Sequence, residues 1–362
     1  MVDEVWILGG AGRSGRATAA NLAAVGVSPV LVGRDAARLK EVAVRVGGAR
    51  AVVADSVDAM IAQIRRERPA VVVNTVGPFA ATAAPLAQAC LPASSYVDLG
   101  NDFLAASAVL ALHEQAAAAG RTLVTGAGFG VLATESVVVT LCEGRAAPER
   151  VRTDAVPSVE LEAGVLGEAL AATIIDGVPE GGCRYARGRL VRARVGGERE
   201  HLTLPDGSQV TTASIPLGEL VAAQRASGAP LVVAASSEVP SSAAARAVLP
   251  LASALLSIGP LRTLARRRLA RVRFGDRPRP RDHSWGRADV QWADGTHRVG
   301  WLRAGDASTF TAAVLAEVAR RLLHGEGRPG AYTPAALYGP SLAEACGGEF
   351  VFDGQPDHVE RG

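Results

Sequence analysis

Gly10-Ala11-Gly12-Arg13-Ser14-Gly15 has GxGxxG spacing, directly after an apolar run and at the head of a stretch of helical composition. Such a turn suits a pyrophosphate. The first glycine permits the tight bend, the second lets backbone N–H groups approach the phosphates, and the third lets the helix pack closely on the strand. The helix start adds unpaired donors and partial positive charge. Alone the motif is weak in a chain with 40 glycines; the strand before it and the β/α units behind it make it a dinucleotide signature. The end of the next strand selects the dinucleotide, because a carboxylate there holds a ribose 2′-hydroxyl and an arginine holds a 2′-phosphate. Here the strand ends Leu31-Val32-Gly33 and Arg34 follows, so NADP(H) is the expected cofactor, with Arg13 assisting. Asp35 reads as the N-cap of the following helix. Asp55, after the third strand, is placed either to meet the adenine edge or to cap a helix.

Other chemistries are poorly supplied. Lys40 is the sole lysine and falls on a surface helix, so no other amine is present to form a Schiff base. Cys90, Cys142, Cys183 and Cys346 form no CxxC pair, and a reduced cytosolic chain is the simplest reading. The histidines are scattered without metal spacing; His283, beside Ser284 and Trp285, reads as a surface loop residue. No metal is expected. A net charge of +2 gives no general reason to bind nucleic acid. The amino terminus runs straight into a strand without a targeting pattern, and the apolar stretch 243–261 is interrupted by Arg246, Pro250, Gly259 and Pro260. A cytoplasmic protein without a transmembrane segment is expected.

The elements that must position the glycine turn are legible in the first half. Val5-Trp6-Ile7-Leu8, 29–33, 51–54, 70–74, 95–99 and 121–125 are short apolar runs separated by helical stretches. Continuous apolar strands of this length are buried on both faces of a parallel sheet. The fold class is therefore α/β: an N-terminal Rossmann doubly wound parallel sheet, with an α+β substrate domain behind it. Its length of 362 residues suits two domains, set at 1–130 and 131–362, with the segment from about 329 free to pack back on the first. In the second half, 184–195 and 209–215 read as antiparallel strands, 216–226 as a helix and 230–236 as a strand. Asp294-Gly295 between two apolar-alternating runs marks a hairpin, and 307–323 is a long amphipathic helix.

Val73-Asn74-Thr75-Val76-Gly77-Pro78-Phe79, then Ala89-Cys90, Tyr96-Val97-Asp98-Leu99-Gly100 and Gly126-Ala127-Gly128-Phe129-Gly130-Val131 resemble the saccharopine dehydrogenase-like oxidoreductases. Later echoes are Gly188-Arg189-Leu190-Val191, Ser214-Ile215-Pro216-Leu217-Gly218, Ser284-Trp285-Gly286, Pro329 to Ala335, and Tyr338-Gly339. In detail the sequence is most similar to the branch called trans-acting enoyl reductases. The resemblance implies that Thr75, Val76, Gly77 and Pro78 border the ribose and nicotinamide, that Phe79 offers an apolar wall, and that a second sheet covers the cleft. It departs from the pattern where members carry Thr-Gly-Glu: this chain has Gly100-Asn101-Asp102, leaving that glutamate missing or displaced to Asp102. Ala133 stands where proline is common.

Hydride transfer is the cofactor's chemistry, so the chain has to hold and polarise a substrate. Reducing a C=C bond conjugated to a carbonyl needs a donor at the carbonyl oxygen and a proton for the α-carbon. Tyr96, Asp98 and Asn101 are the candidate catalytic residues, with Asp102, Thr134 and Glu135 nearby. The expected function is NADPH-dependent reduction of an enoyl bond in a polyketide, lipid or other secondary-metabolite intermediate. Alternatives are imine reduction of the saccharopine dehydrogenase type, or a non-redox enzyme or binding protein that retains NADP. Expected partners are a small-molecule substrate, delivered free or on an acyl carrier protein; a homodimer is compatible with the sequence. The arginine-rich stretch 262–273 suits an acidic carrier or a membrane surface, against the plainer reading of a solvated basic face.

Overall fold

The computed structural model describes residues 2–160, 181–239, 258–275 and 278–352, with short pieces at 164–165, 171, 175 and 255–256. The first half alternates β1 (Val2–Leu8), α1 (Arg13–Ala24), β2 (Val30–Gly33), α2 (Ala36–Arg45), β3 (Arg50–Val53), α3 (Val57–Glu67) and β4 (Pro69–Asn74). It continues through α4 (Phe79–Cys90), β5 (Ser95–Asp98), α5 (Phe103–Leu110), α6 (His113–Ala118), β6 (Thr122–Val124) and α7 (Phe129–Cys142). The strands form one sheet in the order β3-β2-β1-β4-β5-β6, all parallel. Both faces are buried: Ile7, Leu31, Val73 and Val97 on one side, Trp6, Leu8, Val72 and Tyr96 on the other. That double burial is why the strands read as unbroken apolar runs. The order reverses beside β1, which opens a crevice at the carboxyl ends of β1 and β4.

A second sheet is built around β7 (Arg150–Val156). Leu231–Ser236 runs parallel to β7 on one side and Ser284–Gln291 runs antiparallel on the other, so the sheet is mixed where the sequence suggested antiparallel strands. The parallel pairing needs a connection of some seventy residues, which carries no local sequence signal. The stretch expected as one strand at 184–195 is a hairpin, Gly182–Ala186 with Arg189–Ala193, turning at Arg187 and Gly188, both at positive φ. The Asp294-Gly295 turn joins Ser284–Gln291 to His297–Ala304, with Gly295 at φ +82°.

One face of this sheet lies on α7. Gly286 is necessary there, since a Cβ would come within 2.6 Å of Ala133 Cβ. The chain beyond residue 130 does not stay with the second sheet: the helix Ala307–Leu323 packs against α1, and the strand Gly330–Tyr332 adds in parallel to β6. The helix Gly259–Ala270 spans the end of the apolar stretch 243–261 and most of the arginine-rich stretch 262–273; positions 240–254 lie outside the described residues.

Candidate active site

The glycine turn sits at the carboxyl end of β1. Gly9 and Gly10 donate their N–H groups to Val32 O at 2.9 and 3.1 Å, and Gly12 donates to Gly9 O at 2.8 Å, closing the bend. A Cβ on Gly15 would lie 2.3 Å from Gly9 O, so only glycine lets α1 approach the strand this closely. Gly12 caps α1 without a side chain, so the first amides of the helix have no side-chain acceptor. Arg13 is exposed and Ser14 half-buried on that first turn. Arg34 follows β2 directly and is exposed, while Asp35 caps α2 by accepting the Arg38 N–H at 3.1 Å. Of the two readings of Asp55, the cap is excluded, because Ser56 Oγ accepts the Ala59 N–H at 3.2 Å; Asp55 itself is exposed after β3.

The end of β4 is fastened to the same bend. Thr75 donates both its N–H, at 3.0 Å, and its hydroxyl, at 2.7 Å, to Leu8 O. Asn74 Oδ1 accepts the Val76 N–H at 2.9 Å, and Thr82 donates its hydroxyl to Val76 O at 2.5 Å. Gly77–Pro78 is a cis bond, and Pro78 leads into α4. Thr75, Val76, Gly77 and Pro78 are thus half-buried beside the glycine turn, at the reversal of strand order.

The candidates near β5 and β6 divide by exposure. Tyr96 is fully buried, and its hydroxyl accepts from Asn74 Nδ2 at 3.0 Å; burial, with the Asp98 carboxyl beside it, raises the phenol well above its ordinary range. Asp98 is also fully buried. Its Oδ1 accepts the Gly100 N–H at 2.8 Å, the Gly126 N–H at 3.2 Å and the Thr125 hydroxyl at 3.0 Å, while Oδ2 has no hydrogen-bond partner among the described residues. Burial pushes this carboxyl up to about 6, against the three donors that favour its charged form. Tyr96 and Asp98 thus pin loops from inside the layer, and neither is brought to a solvent-reached surface. Asp102 does not stand in for the displaced glutamate: it is the N-cap of α5, accepting the Ala105 N–H at 2.8 Å.

Asn101 is half-exposed and is held by a residue that the sequence reading missed. Its Nδ2 donates to Glu219 Oε1 at 3.1 Å, and its Oδ1 accepts the Gly218 N–H at 3.2 Å. Glu219 lies in the first turn of the helix Gly218–Ser227, where the sequence offers only a dipole-favoured carboxylate. In the fold it is 1% exposed, against the first turn of α7: a Cβ on Gly130 would meet Glu219 Oε1 at 2.1 Å. Its Oε2 has no partner among the described residues, and burial pushes the carboxyl up to about 7.

Glu135 has a different task. It is buried on α7, accepts the Thr333 hydroxyl and the Ala335 N–H (the latter at 3.0 Å), and so caps the short helix Pro334–Tyr338. Burial raises it to about 7. Thr134 donates back to Gly130 O within α7 at 2.8 Å. His283 packs edge-on against Trp285, 6.1 Å between ring centres, on the side of the second sheet facing away from α7.

An uncapped glycine turn at the strand reversal of a parallel sheet, with a second mixed sheet beyond it, defines a two-domain dinucleotide-binding protein of the Rossmann class. Residues 5–124 match the family model of the saccharopine dehydrogenase NADP binding domain. A trans-acting enoyl reductase of Mycobacterium tuberculosis (strain ATCC 25618 / H37Rv) is 30% identical over 146 residues, 38% of this chain and 35% of the relative. The trans-acting enoyl reductase of Mycobacterium bovis (strain ATCC BAA-935 / AF2122/97) matches to the same extent. The match therefore spans about a third of the length of these curated relatives. The fold is that of apo saccharopine dehydrogenase (L-Glu forming) from Saccharomyces cerevisiae, with a TM-score of 0.61 and 12% identity over 96% of this chain and 99% of that one. The match to the NADP binding domain covers the first sheet, and the likeness in fold covers both sheets.

Proposed function

We propose that the chain is a cytoplasmic NADPH-dependent reductase of a C=C bond conjugated to a thioester or ketone, in a lipid or polyketide-type intermediate. The observation that carries the cofactor half is the junction of two turns, Gly9–Gly15 and Thr75–Pro78, on neighbouring strands at the reversal of order. Gly10, Gly12, Ser14 and Gly15 would hold the pyrophosphate, with Arg34 and Arg13 on the 2′-phosphate and Asp55 at the adenine edge. Thr75, Val76, Gly77 and Pro78 would border the ribose and nicotinamide. When bound, the cofactor supplies the hydride.

The rest falls to the chain. The preference for C=C rests on the 30% identity to trans-acting enoyl reductases. Asn101 is the half-exposed donor at the strand ends, and Glu219 positions it by accepting one of its two Nδ2 hydrogens, the other being suited to a substrate carbonyl oxygen. Tyr96 and Asp98 position the loops on which Asn101 rides. Water is then the source of the proton for the α-carbon. An acyl carrier protein is one carrier of such a thioester, and a homodimer one state of the enzyme. The test is loss of reduced-nicotinamide absorbance with trans-2-enoyl thioesters, presented free and on a carrier. Tight NADPH binding without turnover on any enoyl or imine substrate overturns the redox assignment.

A further inference from the structure

We propose that the segment 258–272 is an interfacial element that seats the protein on an anionic lipid surface. Between Glu238 and Asp276 the sequence holds seven arginines and no acidic residue, in a chain whose net charge is only +2. The helix Gly259–Ala270 has no buried residue. Its apolar side chains stand in solvent: Ile258 is 50% exposed, Leu261 40%, Leu264 52% and Val272, just past its end, 47%. With Leu255, these make five of the eleven large hydrophobic residues that are exposed among the described residues. Single exposed apolar side chains are ordinary on a protein surface, but a concentration of them in one element is not.

The arrangement along the helix is specific. Leu261, Leu264, Arg268 and Arg271 follow one another at helical spacing and share the outer face, all exposed. Arg262, Ala265, Arg266 and Leu269 are half-buried on the inner face. Leucines interleaved with long, flexible cations suit a bilayer boundary, where the apolar side chains enter the acyl region and the guanidinium groups reach phosphate oxygens. Each basic residue gains further from the negative potential of anionic lipid. An acidic protein would answer the charge but gives no account of the exposed leucines, isoleucine and valine. No helix among the described residues is long and apolar enough to cross a membrane, so the contact is with one surface. The proposal does not depend on the reductase reading.

The test is co-sedimentation of the full chain with vesicles of phosphatidylcholine and phosphatidylglycerol, compared with phosphatidylcholine alone. Binding is expected to the mixed vesicles, at least about tenfold stronger than to the neutral ones, and weakened by salt. Leu261→Ser with Leu264→Ser, and separately Arg267→Gln with Arg268→Gln and Arg271→Gln, should each weaken it by about tenfold. Unchanged circular dichroism and melting show that these variants remain folded. Absence of vesicle binding overturns the proposal, as does binding that ignores the leucine pair. Leucine-dependent self-association, or leucine-dependent capture of an acidic carrier protein without vesicle binding, equally overturns it.

Discussion

The two sheets spend their buried polar groups in opposite ways. In the first, Asn74 and Asp98 stand at strand ends and hold loop amides, and the middle of the sheet is apolar on both faces. In the second, charge lies in the middle of the sheet. Asp154, with its side chain 0% exposed, accepts from Arg152 at 3.0 Å and from Arg287 at 2.8 Å, and takes the Thr212 hydroxyl at 2.6 Å. Arg287 also reaches Asp289 at 2.7 Å and Glu200 at 3.3 Å. This cluster occupies the face away from α7, beside Trp285 and Trp301. The contrast separates function from architecture: polar groups at strand ends shape a site, whereas the mid-sheet charges pair with one another and, among the described residues, with none of the proposed cofactor residues.

The largest expected effect follows from that pairing. Asp154→Ala takes from two buried arginines the one fully buried carboxylate they share, leaving them only the more exposed Glu200 and Asp289, and should cost about 3–5 kcal/mol, read as a lowered urea midpoint. NADPH affinity of the folded fraction should stay unchanged. A loss below about 1 kcal/mol would mean that the cluster behaves like an exposed ion pair. In the first sheet, Gly15→Ala should act the other way round. Its methyl would meet Gly9 O at 2.3 Å, so the turn has to open, and NADPH affinity should fall by about tenfold or more. Retained affinity in that variant would detach the turn from the cofactor.

A smaller effect separates the carboxyl at the site from those in the cluster. Glu219 has its folded value raised from 4.5 to about 7, so the native state holds the proton more tightly than the unfolded chain. Its contribution to stability is complete below the unfolded value and is lost as the pH rises through about 7. Glu135 and Asp98 carry the same sign. The melting temperature should therefore fall between pH 4.5 and about pH 7, and Glu219→Gln should flatten that slope; an unchanged slope would show that Glu219 is not buried as described. Smallest are the caps. Asp35→Ala and Ser56→Ala should each cost about 1 kcal/mol in thermal unfolding. Asp55→Ala should stay within about 0.5 kcal/mol, because Ser56 holds that helix start.

The same contrast decides what could be read from sequence. The strands of the first sheet, the glycine turn and the Asp35 cap are set by neighbouring residues, so apolar runs, glycine spacing and a cap-forming side chain reveal them. The second sheet depends on partners far apart in the chain. Arg189–Ala193 is largely exposed, so no apolar alternation separates it from Gly182–Ala186 and the two read as one strand, and Gly330–Tyr332 is only three residues long. Glu219 stayed hidden for a related reason. It stands 118 positions from Asn101, and nothing in Pro216-Leu217-Gly218-Glu219 shows that its carboxyl will be enclosed rather than solvated. Its neighbour Gly130 enters the sequence pattern only within the motif Gly126 to Val131 that carries the resemblance, although the clearance it gives Glu219 is what admits the carboxyl.

Titration calorimetry with NADPH and NADH on the unmodified chain and on Arg34→Ala tests the cofactor assignment most directly. The unmodified chain should bind NADPH more tightly than NADH by roughly ten- to a hundredfold, the worth of a charge-assisted contact, and Arg34→Ala should remove most of that difference while leaving NADH unaffected. Equal affinity for the two coenzymes, or heat from neither, would contradict it.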